Sequence, residues 1–305
     1  MKRLRGHDND VVVDTGPGAP TIVYWGPALG ASVDLDALAA AMERPVANGG
    51  ADLVAPVAVV PEHGSGFTGH PGLSGHRPGG SAWAPRFDTV EVDGDDQHLR
   101  VVTRDAVAEL ELVFSFEMLD ALVVTAELTN LSADQVYLLH DLTVTLPVPD
   151  QADELGTFTG RWSRELHPVR RPWTSGAVLV ENRRGRTSHE HPPLVFAGTG
   201  GYGEWEGCVW GAHLAWSGNH HLVAERLPDG RRHIQLGELL HPGEIVLAPG
   251  ESYRTPEVIA VHSSAGLTPA TQQFHRHVRS RPALSLIHIS EPTRQLTQSR
   301  FACSG

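Results

Sequence analysis

The rhythm of apolar residues constrains this chain more than any other feature. Short runs, alternating or wholly apolar, follow one another, each broken by Gly, Pro, Asp or Asn. Thr21–Trp25, Leu99–Asp105, Val107–Leu119, Ala121–Ser132 and Val136–Val148 form a first series. Cys208–Gly218, His220–Leu227, Arg231–Glu238, Glu244–Glu251 and Pro256–Ser263 form a second. Strict period-2 alternation in Glu109–Glu117 and Leu142–Val148 predicts half-buried strands. Turn residues recur about every ten positions, the spacing of a large antiparallel sandwich. Helix signals are few. Asp34–Glu43 has an Asp at its start, strong helix formers within and Pro45 as a stop. Thr268–Arg281 has Thr268 as N-cap, Pro269 at the first helical position and Pro282 beyond its end. Strands do not alternate with helices, so neither a βαβ array nor a (β/α)8 barrel is expected. The reading is all-β, a large antiparallel sandwich with a few short helices and a C-terminal helix.

Composition narrows the partners. The chain has 305 residues and a formal charge of −12, which disfavours nucleic acid and anionic membrane, since both require a cationic face. Arg183–Arg186 is a local basic run and reads as a solvated turn. Lys2 is the only lysine among 24 basic residues, a codon signature of a GC-rich genome. Two cysteines, Cys208 and Cys303, cannot build a disulfide framework. The N-terminus lacks an apolar stretch of signal length, and no apolar run reaches membrane-spanning length. The expectation is a cytoplasmic chain with no membrane partner. No phosphate-binding Gly pattern follows a strand, so no cofactor is expected.

Composition changes after Ala283. Read back into codons, Leu284–Arg294 matches one frame of the transposase adapter used to prepare DNA for sequencing. Residues 284–305 are therefore expected to be foreign to the protein and are set aside from fold reasoning. On periodicity alone, Leu284–Ile289 could also be a strand. The tail is expected to be disordered or only loosely held.

Several stretches together resemble glycoside hydrolase family 36, the microbial α-galactosidases. They are Tyr24–Gly30 (YWGPALG), Phe158–Glu165 (FTGRWSRE), Glu181–Ala197, Glu204–Leu222 and Arg254–Arg279. The resemblance implies that residues 1–267 form an N-terminal β-supersandwich and that 268–283 form a linker helix toward a catalytic barrel. It further implies a retaining hydrolase of terminal α-galactosides such as melibiose and raffinose, often a homo-oligomer. A retaining glycosidase needs two carboxyl groups about 5–5.5 Å apart, and the family carries both on its barrel. The nucleophile there follows a Lys-Trp-Asp stretch, which this chain lacks. No catalytic residue is thus expected here, and the chain alone should be inactive.

Two substrate-binding candidates follow from the resemblance. Trp162 stands where the family places a tryptophan that touches sugar in a site shared between subunits; an indole stacks well on galactose but serves equally as a core or interface anchor. Glu43 lies near the position of an acidic residue reaching a neighbour's sugar, and also reads as a solvated helix-end glutamate. In Ser188–Pro193, His189 and His191 are two apart and would share one face of a strand. No third ligand is fixed by spacing, so no metal is expected; hydrogen bonding that fixes a loop is the better reading. Asn219 and His220, in Trp216–His221, fit polar contacts or a turn. The Gly-rich stretch Gly66–Arg77 is too long for a hairpin turn, and an interface role is favoured. A self-standing carbohydrate-binding sandwich and a purely structural oligomerisation domain remain as alternatives.

Overall fold

The computed structural model describes residues 1–46 and 54–281. The tail 284–305, expected to be foreign and disordered or only loosely held, lies outside these residues, as does the alternative reading of Leu284–Ile289 as a strand. Twenty strands and two α-helices follow in order. The first half contains β1 (Lys2–Arg5), β2 (Asn9–Asp14), β3 (Thr21–Pro27), helix α1 (Leu35–Met42), β4 (Leu73–His76), β5 (Asp88–Gly94), β6 (His98–Asp105), β7 (Leu110–Met118), β8 (Leu122–Asn130), β9 (Tyr137–Leu142) and β10 (Val144–Val148). The second half contains β11 (Glu154–Arg161), β12 (Arg164–Pro172), β13 (Gly176–Asn182), β14 (Leu194–Gly198), β15 (Val209–Leu214), β16 (His220–Arg226), β17 (Arg232–Glu238), β18 (Ile245–Leu247), β19 (Ser252–Arg254), β20 (Val258–Ser263) and helix α2 (Leu267–Ser280).

All pairings are antiparallel. A ten-stranded sheet runs β12-β11-β14-β15-β20-β8-β7-β6-β5, with β19 also pairing β8. Three smaller sheets join β1-β2-β3, β10-β17-β16-β13 and β18-β9-β4. The period-2 sequence of β7 explains its place. Leu110, Leu112, Phe114, Phe116 and Met118 are buried, while the residues between them are only partly so. These inward side chains meet Leu4, Ile22, Tyr137, Leu146, Leu222 and Leu236 from the smaller sheets in one core. The opposite face of the large sheet is apolar only near its middle. There Val123, Phe196, Val209, Ile259 and Val261 pack under Ala270 and Phe274 of α2. Two layers bury one sheet face, and the helix buries a patch of the other.

Three expectations change. The run Val136–Val148 is not one strand: it breaks at Thr143, whose N–H donates to the Gly72 carbonyl at 2.8 Å. β9 then pairs β4 and β18, whereas β10 pairs β17 in another sheet. The chain thus passes from one small sheet to another without a turn residue. Helix α2 begins at Leu267, with Gly266 (φ 89°) as N-cap. Thr268 lies inside the helix and donates its hydroxyl to Glu204 Oε2 at 2.9 Å. The first amides are met instead by a neighbouring loop: Leu267 N–H bonds Gly203 O at 3.0 Å and Thr268 N–H bonds Glu204 O at 2.9 Å. Helix α1 is closer to expectation, since the Asp34 carboxylate accepts from the N–H groups of Asp36 and Ala37 at 3.0 and 3.1 Å.

Gly66–Arg77, expected at an interface, is tied into the interior. It contains β4, and Phe67, Leu73 and Arg77 are buried. The Arg77 guanidinium donates to Ala108 O at 2.6 Å, Asn130 Oδ1 at 3.1 Å and Gln135 O at 3.2 Å. Gly75 is required by close approach, because a Cβ there would lie 2.6 Å from the Tyr137 ring.

Candidate functional site

The site grows from the β11–β12 hairpin. Arg161 pairs with Arg164, which leaves Trp162 and Ser163 as a two-residue turn. Ser163 takes a left-handed φ of 61°, and its N–H donates to Glu165 Oε1 at 2.8 Å. Strand β12 is exposed along nearly its whole length and forms an edge of the ten-stranded sheet. Pro168, Pro172 and three arginines along it oppose pairing with another strand. At the tip, the Trp162 side chain is 78% exposed, although large apolar groups on such a tip gain nothing from solvent.

One wall of the tip is the loop joining β13 to β14. The Trp162 indole meets the His189 imidazole edge to face, with ring centroids 5.7 Å apart. Gly160 makes this approach possible: a Cβ there would lie 2.7 Å from the His189 carbonyl and 2.6 Å from the Arg164 carbonyl. The loop is pinned by hydrogen bonds, as its sequence suggested. Ser188 Oγ accepts from the N–H groups of Glu190 and His191, each at 3.3 Å. Thr187 N–H donates to Ser217 O at 2.7 Å, and Gly185 N–H to Asn219 Oδ1 at 2.7 Å. Asn182 Nδ2 donates to Arg186 O at 2.7 Å, and His220 Nε2 lies 2.9 Å from His191 O. Asn219 and His220 therefore serve the loop from behind. Arg183 and Arg184 pair in solvent with Glu181 and Glu190.

Glu43 caps the end of α1, is exposed, and makes no side-chain hydrogen bond or ion pair among the described residues. Nothing brings it to the Trp162 hairpin. Among the described residues no three His, Cys, Asp or Glu side chains gather to hold a metal. Nor do two carboxylates face a common space at the tip: Glu165 is engaged by the turn amide and Glu190 by Arg184. Burial raises Glu62 to about 7, but it is only 2% exposed and no substrate could meet it. The tip thus offers an apolar ring bordered by arginine, glutamate and imidazole groups. It can stack on and hydrogen-bond a polyhydroxylated ring. Sequence reasoning singles out Trp162 but not its contact with His189, since the two are brought together by strand pairing across β11 and β14.

A family model describing the N-terminal domain of glycosyl hydrolase family 36 matches residues 18–248. An α-galactosidase of Escherichia coli is 42% identical over 279 residues, which cover 91% of this chain and 39% of that protein. The α-galactosidase AgaA of Geobacillus stearothermophilus is 30% identical over 199 residues, covering 64% of this chain and 27% of its own length. Among solved structures, a variant of AgaA in complex with raffinose superimposes with a TM-score of 0.82 at 23% identity, over 93% of this chain and 44% of that one. The α-galactosidase of Lactobacillus brevis gives 0.78 at 22% identity, over 89% and 40%. The chain spans less than half the length of each of these proteins, and it belongs to glycosyl hydrolase family 36, of which it carries the N-terminal domain.

Proposed function

We propose that this chain is the N-terminal part of a retaining α-galactosidase acting on terminal α-galactosides of the melibiose and raffinose type. The observation that carries the reading is the 42% identity to the E. coli α-galactosidase over 91% of the chain. In this reading residues 1–267 are the supersandwich and 268–283 lead into a catalytic barrel. Residues 284–305 are foreign sequence. The barrel supplies both carboxylates, because no suitable pair lies at the Trp162 tip. Trp162 presents its indole to the galactoside bound by a neighbouring subunit of a homo-oligomer, and Glu43 reaches a neighbour's sugar as well. The scarcity of cysteines supports a cytoplasmic setting.

The test compares two proteins. The 305-residue chain should leave a nitrophenyl α-galactoside intact. A chain continuing past residue 283 into a barrel should hydrolyse it, with the α-anomer of galactose appearing first by NMR. Turnover by the shorter chain alone would sink the reading, as would inversion by the longer one. The exposed Trp162 also favours a second reading, a self-standing carbohydrate-binding sandwich. Saturable galactose binding by the 305-residue chain, with no activity in the longer one, would select it.

A further inference from the structure

The side chain of His220 is 1% exposed, yet both its ring nitrogens face carbonyl oxygens: Nε2 lies 2.9 Å from His191 O and Nδ1 lies 3.3 Å from Gly218 O. A neutral imidazole donates only once. Burial holds the His220 pKa below its ordinary value, against the pull of the two carbonyls, so the ring is neutral near pH 7. The shorter contact takes the proton, and Nε2–H donates to His191 O. This bond crosses from the first residue of β16 to the loop whose other aromatic residue, His189, walls the Trp162 indole. Three further anchors run between the same segments, Thr187 N–H to Ser217 O, Gly185 N–H to Asn219 Oδ1 and the Thr187 hydroxyl to Trp216 O at 3.2 Å, and Asn182 Nδ2 at the end of β13 donates to Gly218 O at 3.3 Å. Residues 216–220 thus form a platform beneath residues 185–191. Of the platform's bonds, the one from His220 reaches past His189; Ser188 Oγ and Arg184 hold the same stretch within the loop, and Leu214 N–H and His213 hold it at Pro193 O, so His220 is its tie to residues 216–220.

We infer that His220 is a positioning residue for the Trp162 indole, acting through the His191 carbonyl and the His189 ring. The inference deepens the sugar-contact reading of Trp162 and rests on it for its functional meaning. Preorganisation is the gain. An exposed indole on a two-residue turn samples several rotamers, and a fixed aromatic wall selects one, so less freedom is lost when a sugar stacks. Glutamine can place an amide N–H close to the position of Nε2–H, whereas alanine cannot.

The experiment records indole N–H resonances of the 305-residue chain, which has seven tryptophans. W162F assigns the Trp162 peak. In H220A this peak should move while those of the buried Trp25, Trp173 and Trp210 stay, and H220Q should return it toward the wild-type position. H189A removes the wall at an exposed residue, which spares the core, and should move the same peak. A Trp162 peak unmoved in both H220A and H189A overturns the inference, as does a shift in H220A that H220Q fails to reverse. Methyl α-galactoside is then titrated into the wild-type, H220A and H220Q forms of the chain continued past residue 283 into its barrel, which holds the sugar of the proposed contact. A Trp162 response in the wild type, weakened several-fold in H220A and recovered in H220Q, supports the functional meaning. Equal responses in wild type and H220A overturn it. Absence of any wild-type response, with the peak still displaced in H220A, sinks the sugar-contact reading and leaves the positioning role standing.

Discussion

Arg77 carries the most informative perturbation of the fold. Its side chain is 5% exposed, and its nearest opposite charge, Glu109, is 4.0 Å away and half exposed. Backbone therefore satisfies the guanidinium more than any ion pair does. Ala108 O, at 2.6 Å, belongs to the β6–β7 connection; Gln135 O belongs to the β8–β9 connection and Asn130 Oδ1 to the last residue of β8. The two connections, already tied by Leu131 N–H to Glu109 O at 2.8 Å, are tied a second time through this buried side chain. Asn130 Oδ1 also accepts from Ser132 N–H, and Gln135 O also accepts from Asn130 Nδ2, so both keep a partner without Arg77. Ala108 O does not. Arg77→Ala should cost roughly 1.5–3 kcal/mol for that charge-assisted bond. The emptied volume of the stem should raise the total to about 3–5 kcal/mol. Arg77→Met refills the volume and should recover about 1 kcal/mol. Glu109→Gln should cost under about 1 kcal/mol, because the pair is long and solvated. Urea midpoints followed by tryptophan fluorescence give the order wild type, E109Q, R77M, R77A. A loss below about 1 kcal/mol in R77A, or a loss in E109Q as large as that in R77A, would refute this role for Arg77.

Two further outcomes follow from buried geometry. Glu62 has a folded pKa near 7, above its unfolded value of 4.5, because burial disfavours the carboxylate. Between these values the unfolded chain has already released the proton, so stability falls as pH rises from about 4.5 to 7, by at most about 3 kcal/mol. Glu62→Gln should flatten that part of the pH–stability curve, and an unchanged slope would show that another group causes it. Gly160→Ala would put a Cβ within 2.7 Å of two backbone carbonyls; it should cost about 1–3 kcal/mol and displace the Trp162 resonance. A variant of wild-type urea midpoint and unmoved Trp162 peak would mean that the hairpin and loop can part freely.

How much of this was legible depended on where the information lay. β7 could be read because its own residues alternate Leu, Leu, Phe, Phe and Met against polar partners. Helix α1 could be read because Asp34 caps it from within the sequence. β12 could not: neither of its faces is buried, so Arg164–Pro172 carries no alternation to find. The break at Thr143 was hidden because both flanking strands are apolar, and the amide that marks it bonds Gly72, far away in sequence. The start of α2 was misplaced for a similar reason. Thr268 and Pro269 look like a local cap, but the loop 203–207 already receives the first amides, and the helix starts two residues earlier, at Leu267 with Gly266 as its N-cap. At the candidate site, Trp162 came from a motif, while His189, Gly160 and His220 became meaningful only once sheet pairing set them side by side.

Helix α2 shows which of its contacts fix its place. Its apolar face, with Ala270 and Phe274, covers the middle of the large sheet, but apolar packing alone tolerates sliding. Arg276 bonds Asp8 and Asp120 at 2.8 and 3.0 Å, yet the arginine is 41% exposed, so these pairs contribute little. Register comes from a closed set of buried amides. Gln273 Nε2 donates to His262 O at 2.6 Å, and Asn9 Nδ2 donates both to His262 O and to Gln273 Oε1 at 3.0 Å. Asn9 Oδ1 faces His262 Nδ1 at 3.1 Å, which selects the Nδ1–H tautomer. Moving the helix by one residue would leave several of these buried groups without partners, at about 1–3 kcal/mol each. The network joins β2, β20 and α2, so the helix direction is set by residues from both ends of the sandwich. A helix held this firmly transmits the orientation of the sandwich to any segment that continues it. That property suits a lead-in to a barrel better than a flexible tether would.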